Sequence, residues 1–160
     1  MPAYIKIPDI DGEVNEQNHE KWIEINSVSE SIFRSIAQGA KGAQRSNGET
    51  SLGDVVVVKQ WDCSTSLLMS AVANGVYKDE VLIHLCSTIN DENCVNLEIK
   101  LKDVILSGHN FHATCDQSPT PTEEISMNYT KIEWLYKKFD EMGKDAGNFP
   151  AKYDTEKAKS

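Results

Sequence analysis

Six stretches of the chain, residues 3–8, 21–36, 54–61, 80–88, 95–107 and 123–139, are rich in Val, Ile, Tyr and Trp and alternate apolar with polar residues at close to period two. Side chains along an extended strand point alternately to opposite faces, so this pattern suits a half-buried strand and not a helix. Six or more such strands imply a barrel or a sandwich. A hairpin around Asn90-Asp91-Glu92 sharpens the expectation, because antiparallel pairing there sets Val81 opposite Ile99, Ile83 opposite Leu97 and Leu85 opposite Val95. That face is wholly apolar, and the other carries His84, Cys86, Cys94, Asn96 and Glu98. In the last stretch Ile125, Met127 and Tyr129 share one parity while Ile132, Trp134 and Tyr136 share the other. Either a bulge or bend turns the strand there, or both faces are covered, one by the core and one by a neighbouring subunit.

One helix is expected over about residues 65–74. Asp62-Cys63-Ser64-Thr65 offers capping side chains, Leu67, Leu68, Ala71 and Val72 recur at helical spacing, and Gly75 stands where a terminating glycine belongs. Leu68 and Val72 are expected to be buried. Residues 39–53 hold four glycines among small polar residues, with no apolar period, and read as a long extended loop. The segment 143–160, with Gly143, Gly147 and Pro150 among alternating charges, reads as a surface-draped or mobile tail outside a domain of residues 1–142.

At 160 residues the chain is long enough to bury a sizeable core without a disulfide or a metal. Its net charge of -9 and its lack of a basic cluster disfavour nucleic acid and anionic membrane surfaces as partners. No apolar run is long enough to span a bilayer. The opening Met1-Pro2-Ala3-Tyr4-Ile5-Lys6 lacks the regions of a secretory signal, so folding in the cytoplasm is expected. There Cys63, Cys86, Cys94 and Cys115 should be free thiols. Cys86 and Cys94 face each other in the proposed register and are the first candidates for a disulfide in an oxidising medium.

Signals for chemistry are weak. His109, His112, Cys115 and Asp116 are all zinc-ligand types, but three residues apart along a strand the two imidazoles point to opposite faces, so no metal is expected. They read instead as a polar strand end leading into the loop Asp116 to Pro121. Glu123 and Glu124 project oppositely and cannot act together as an acid and base, and both read as a solvated edge. Gly48 is followed by Glu49-Thr50, where a phosphate-binding loop needs Lys with Ser or Thr. No catalytic residue and no cofactor is assigned, and no enzymatic role is expected.

Several stretches together resemble the haemolysin-coregulated protein (Hcp) family, the tube protein of bacterial type VI secretion. They are Tyr4 to Glu13, His19 to Ile25, Val55 to Asp62 followed by Ser64, Leu67, Leu68, Ala71 and Gly75, and Glu124 to Trp134, in the same order over nearly the whole chain. The resemblance implies two antiparallel sheets closed as a β-barrel with one flanking helix. It implies rings of six copies that stack into a tube, carry effectors, meet the spike and sheath of the machine, and leave the cell without a signal peptide. Subunit contacts are then expected at Lys41, Arg45 and Asn47 in the loop, at Leu67 on the helix, and at Tyr129 and Trp134. A monomeric barrel holding a small apolar ligand is the alternative.

Overall fold

Among the described residues the strands are more numerous than six, and the two longest extend beyond the runs read from the sequence. The computed structural model describes residues 1–116 and 120–159. In it the chain runs β1 (Ala3–Lys6), β2 (Ile23–Glu24), β3 (Ser27–Ser29), β4 (Ile32–Arg34), a 3-10 helix (Gly42–Asn47), β5 (Thr50–Leu52), β6 (Val55–Gln60), α1 (Thr65–Asn74), β7 (Tyr77–Ile89), β8 (Glu92–His112), β9 (Thr122–Asn128), β10 (Lys131–Phe139) and β11 (Asp145–Asp154). The long β7–β8 hairpin is the spine. One side of β8 pairs with β7, and the other pairs with β10 and then β9, laid end to end.

The fold is mainly β with one short helix, but the sheets are open and do not close as a barrel. The main sheet runs in the order β2-β1-β7-β8-β9-β6-β3, and its end strands do not pair with each other. The chain itself crosses that gap, where Ile25 donates its N–H to the Ala3 carbonyl and Asn26 to that of Val58. The short β2 and β3 leave no length for a closing ladder. The interior is filled by Ile5, Ile23, Leu68, Ile83, Leu101 and Ile125, among other fully buried side chains, so a ligand-holding barrel has no place here.

The hairpin register also differs from expectation. Val81 stands opposite Leu101, Ile83 opposite Ile99 and Leu85 opposite Leu97. Asn90 and Asp91 both take positive φ, 52° and 64°, as a two-residue turn closed by Ile89 and Glu92 requires. A register break between Leu85 and Cys86 supplies the remaining slip. The slip is two residues near Val81, so parity and the apolar face survive. Beyond the break Cys86 faces Val95 and Cys94 faces Ser87, so the two thiols are not directly opposed.

Of the two readings of the parity switch after Tyr129, the structure gives the bend, since β9 ends at Asn128 and β10 begins at Lys131. The spine bends beside it, its buried positions passing from Ile99 and Leu101 to Val104 and Leu106 across Asp103, whose φ is 53°. Thr130 and Tyr77 both donate hydroxyl hydrogen bonds to the Asp103 carboxylate, at 2.7 and 2.5 Å. These bonds, that of Thr130 foremost, hold the carboxyl below its ordinary range.

Helix α1 runs as expected, with Leu68 and Ala71 buried and Val72 packed on the core. Its first turn differs. Ser64 occupies the cap without a side-chain bond to the helix, and its hydroxyl binds Asp62 instead. At the other end Gly75, with φ 59°, donates to Val72 O while Val76 donates to Ala71 O, the paired bonds of a Schellman ending.

Residues 39–53 are not wholly extended, for they contain the 3-10 helix and β5, which pairs with β4. Residues 145–154, read as part of a draped tail, form β11, which pairs with β10 along its whole length and leaves its outer edge open. Alternating charge masked this strand, since an exposed edge needs no apolar face.

Candidate assembly surface

The segment from Glu30 to Gly53 forms an arm whose strands pair only with each other, apart from the main sheet. At its root Gly53 N–H donates to Ser31 O at 2.9 Å, so close that a Cβ on Gly53 would lie 2.2 Å from Ser31 Oγ. Farther out Ser35 N–H donates to Glu49 O, Glu49 N–H donates to Ser35 Oγ, and Arg34 binds Thr50 Oγ1 and the Ser46 carbonyl. The backbone polar groups are thus largely satisfied within the arm, while Ile32, Phe33 and Ile36 lie in solvent, Phe33 at 65% exposure.

The residues expected at a subunit contact fall into two sets. Lys41 and Arg45 are exposed at the arm's far end, before and within the 3-10 helix. Asn47 ends that helix, and its side chain lies outside the described residues. Leu67 is 48% exposed on α1. Tyr129 and Trp134 belong elsewhere. Tyr129 is 6% exposed, packs in the main core and donates its hydroxyl to the Gly53 carbonyl at 3.2 Å. Burial pushes its phenol up to about 12. Trp134 packs against the same core and donates Nε1–H to Glu30 Oε2 at 3.0 Å. The two aromatics therefore hold the two roots of the arm.

Trp134→Phe tests that role. Among the described residues it removes the only donor to Glu30 Oε2, and Glu30 Oε1 there is buried with no partner. An unpaired, part-buried carboxylate should cost about 2 kcal/mol in urea unfolding, with faster amide exchange at Ser31 and Gly53. Unchanged stability and exchange would contradict the assignment.

One buried polar cluster ties the strands to the helix. Lys59, 1% exposed, follows Val55 and Val57 on the inward parity of β6 and stands directly opposite Glu123 of β9. Its Nζ donates to Glu123 Oε1 at 2.5 Å and to Asp62 Oδ1 at 2.8 Å. Thr65 Oγ1 donates to the same Glu123 oxygen, and His109 Nε2 lies 2.5 Å from the other. This cluster binds β6, β8 and β9 to the start of α1. Glu123 is therefore buried and not a solvated edge, whereas Glu124 is exposed. Cys63 near the helix start is not activated. Burial and the nearby Asp62 and Glu13 hold its thiol above the ordinary range. His112 and Cys115 are exposed while His109 points inward, and among the described residues no His, Cys, Asp or Glu group is arranged for a metal. The expected loop from Asp116 to Pro121 lies partly outside the described residues. No helix among them is long and apolar enough to cross a membrane.

Residues 4–136 match the family model described as type VI secretion system effector, Hcp. No curated protein matches the chain. Solved structures do. One described as a type six secretion system protein is 24% identical, covers 99% of this chain and 98% of its own, and superposes with a TM-score of 0.91. An Hcp1 from Salmonella typhimurium is 18% identical over 99% and 97%, with a TM-score of 0.77. A type VI secretion system effector from Yersinia pestis is 25% identical over 95% and 98%, with a TM-score of 0.67.

Proposed function

The chain belongs to the Hcp family of type VI secretion proteins, and from that premise we propose that it works by self-assembly, six copies forming a ring and rings stacking into a tube that carries effectors. The arm is the observation that supports this most. A two-stranded element that satisfies its own hydrogen bonds yet leaves Ile32, Phe33 and Ile36 in water is suited to lie against another copy. Lys41, Arg45 and Asn47 extend that contact at the arm's end, and Leu67 adds an apolar point on α1. Tyr129 and Trp134 contribute indirectly, by holding the arm at the angle the neighbour meets. The open edge of β11 is a second unfinished surface.

The tube is assembled in the cytoplasm, contacts the spike and sheath components, and is exported with its cargo through the secretion machine. Its work is mechanical and requires neither a cofactor nor nucleic acid. Negative-stain imaging of the purified protein should reveal six-fold rings, with stacks at higher concentration. Particles no larger than one copy throughout would overturn the proposal.

A further inference from the structure

A second polar assembly lies on the outer face of β1, β7 and β8, away from the arm. The loop between β1 and β2 folds back over that face, where Val14 and Trp22 pack with Tyr4, Leu82, Cys86 and Val95. His19, 1% exposed, stacks on Tyr4 with ring centroids 4.4 Å apart and meets Trp22 edge-on. Its Nδ1 contacts Glu16 Oε2, and its Nε2 lies 2.9 Å from His84 Nδ1. His84 Nε2 in turn lies 3.2 Å from Glu98 Oε2. Carboxylate, imidazole, imidazole and carboxylate form a line with three junctions.

Each junction needs one N–H, and two neutral imidazoles carry only two between them. Whichever tautomers form, at least one junction sets a nitrogen lone pair against another lone pair. His84 Nε2 fits this description, being buried without a hydrogen-bond partner of good geometry. One added proton fills all three junctions, and a second added proton would set two N–H groups against each other between the rings. We propose that Glu16, His19, His84 and Glu98 form a one-proton latch, in which uptake of a single proton by the imidazole pair fastens the loop of residues 11–22 to the sheet and its loss loosens that loop.

The surroundings favour one proton over two. Burial foremost, with His19 and Lys137 adding and Glu98 opposing, holds His84 down at about 4. Burial raises the Glu16 carboxyl, but the hydrogen bond with His19 leads the opposing contributions and holds it below the usual range. The other groups facing the line are Tyr4 of β1, with Glu24 of β2 beside it, Cys86 of β7, and Cys94 of β8. Lys6 lies over the Trp22 ring, 5.9 Å from its centroid. Burial raises the Tyr4 phenol and pushes the Cys86 thiol up to about 11, so both stay neutral from about pH 5 to about pH 8.

In the latch the added proton completes hydrogen bonds that the unfolded chain lacks, a gain set against the burial that holds His84 down, so the stability the latch adds is present at the acid end and lost as pH rises. Hydrogen-exchange mass spectrometry of the full chain, from about pH 8 to about pH 5 and corrected for intrinsic rates, reads the loop directly. Amides of residues 11–22 should gain about tenfold protection toward the acid end, the effect of one charge-assisted hydrogen bond. Glu98→Gln supplies the missing hydrogen from its own amide, and Glu16→Gln does the same at the other end of the line. Either variant should hold the loop protected across the whole range, and the second serves where the first folds poorly. Wild-type protection that ignores pH, or variants that keep the wild-type pH dependence, would overturn the latch.

Discussion

Glu123→Leu should unfold at markedly lower denaturant than the wild type, with a loss of about 3–5 kcal/mol. The substitution leaves the Lys59 ammonium buried with Asp62 as its remaining acid and strips Thr65 and His109 of their shared acceptor. Breaking a buried pair from one side costs this much because the surviving charge keeps its desolvation penalty and loses its partner. A domain of this size has only about 5–15 kcal/mol in total, so the variant should be visibly fragile. Removing both charges, as in Lys59→Met with Glu123→Leu, should recover a large part of the loss, because a well-packed apolar pair is often no worse than an ion pair. A Glu123→Leu curve within about 1 kcal/mol of the wild type would show that the cluster does not tie the strands to the helix.

The second large effect concerns assembly rather than folding. Phe33→Asp together with Ile36→Asp should leave the unfolding curve almost unchanged, since both side chains are exposed in the single chain. Ring formation should weaken by about 10³-fold or more. Burying a Phe and an Ile at a neighbour is worth about 1.5–3 kcal/mol each, and the introduced carboxylates would have to be desolvated as well. Sedimentation at matched concentration reads both outcomes. Rings that persist undiminished would remove the arm from the assembly surface.

The fate of particular residues shows what the sequence discloses. Lys59 was legible in principle, because a lysine at the inward parity after Val55 and Val57 must meet an acid, and Glu123 shares parity with Ile125 and Met127 across the sheet. Reading Glu123 beside Glu124 as a solvated edge overlooked that parity. Helix α1 was readable because its stripe and its Gly75 ending are local signals. The hairpin register near Val81 differs by two from the alternation's reading, one residue from the turn at Asn90-Asp91 and one from the break between Leu85 and Cys86, which depends on packing and leaves no mark in the alternation. The His19–His84 contact joins residues 65 apart and arises only when a loop with no periodic pattern folds back on the sheet. Strand number leaves barrel and sandwich open, and the closure that the family resemblance implies fails on the lengths of β2 and β3, which the single run of residues 21–36 conceals. Tyr129 and Trp134, expected at a subunit contact, bond instead to Gly53 and Glu30, far away in sequence at the roots of the arm.

Self-assembly is the claim on which the functional reading rests, and the mass of the purified wild-type protein in solution tests it most directly. Light scattering across a concentration series should give about six times the mass of one chain, with higher multiples as rings stack. A mass of one chain at every concentration, including the highest that stays soluble, would contradict it.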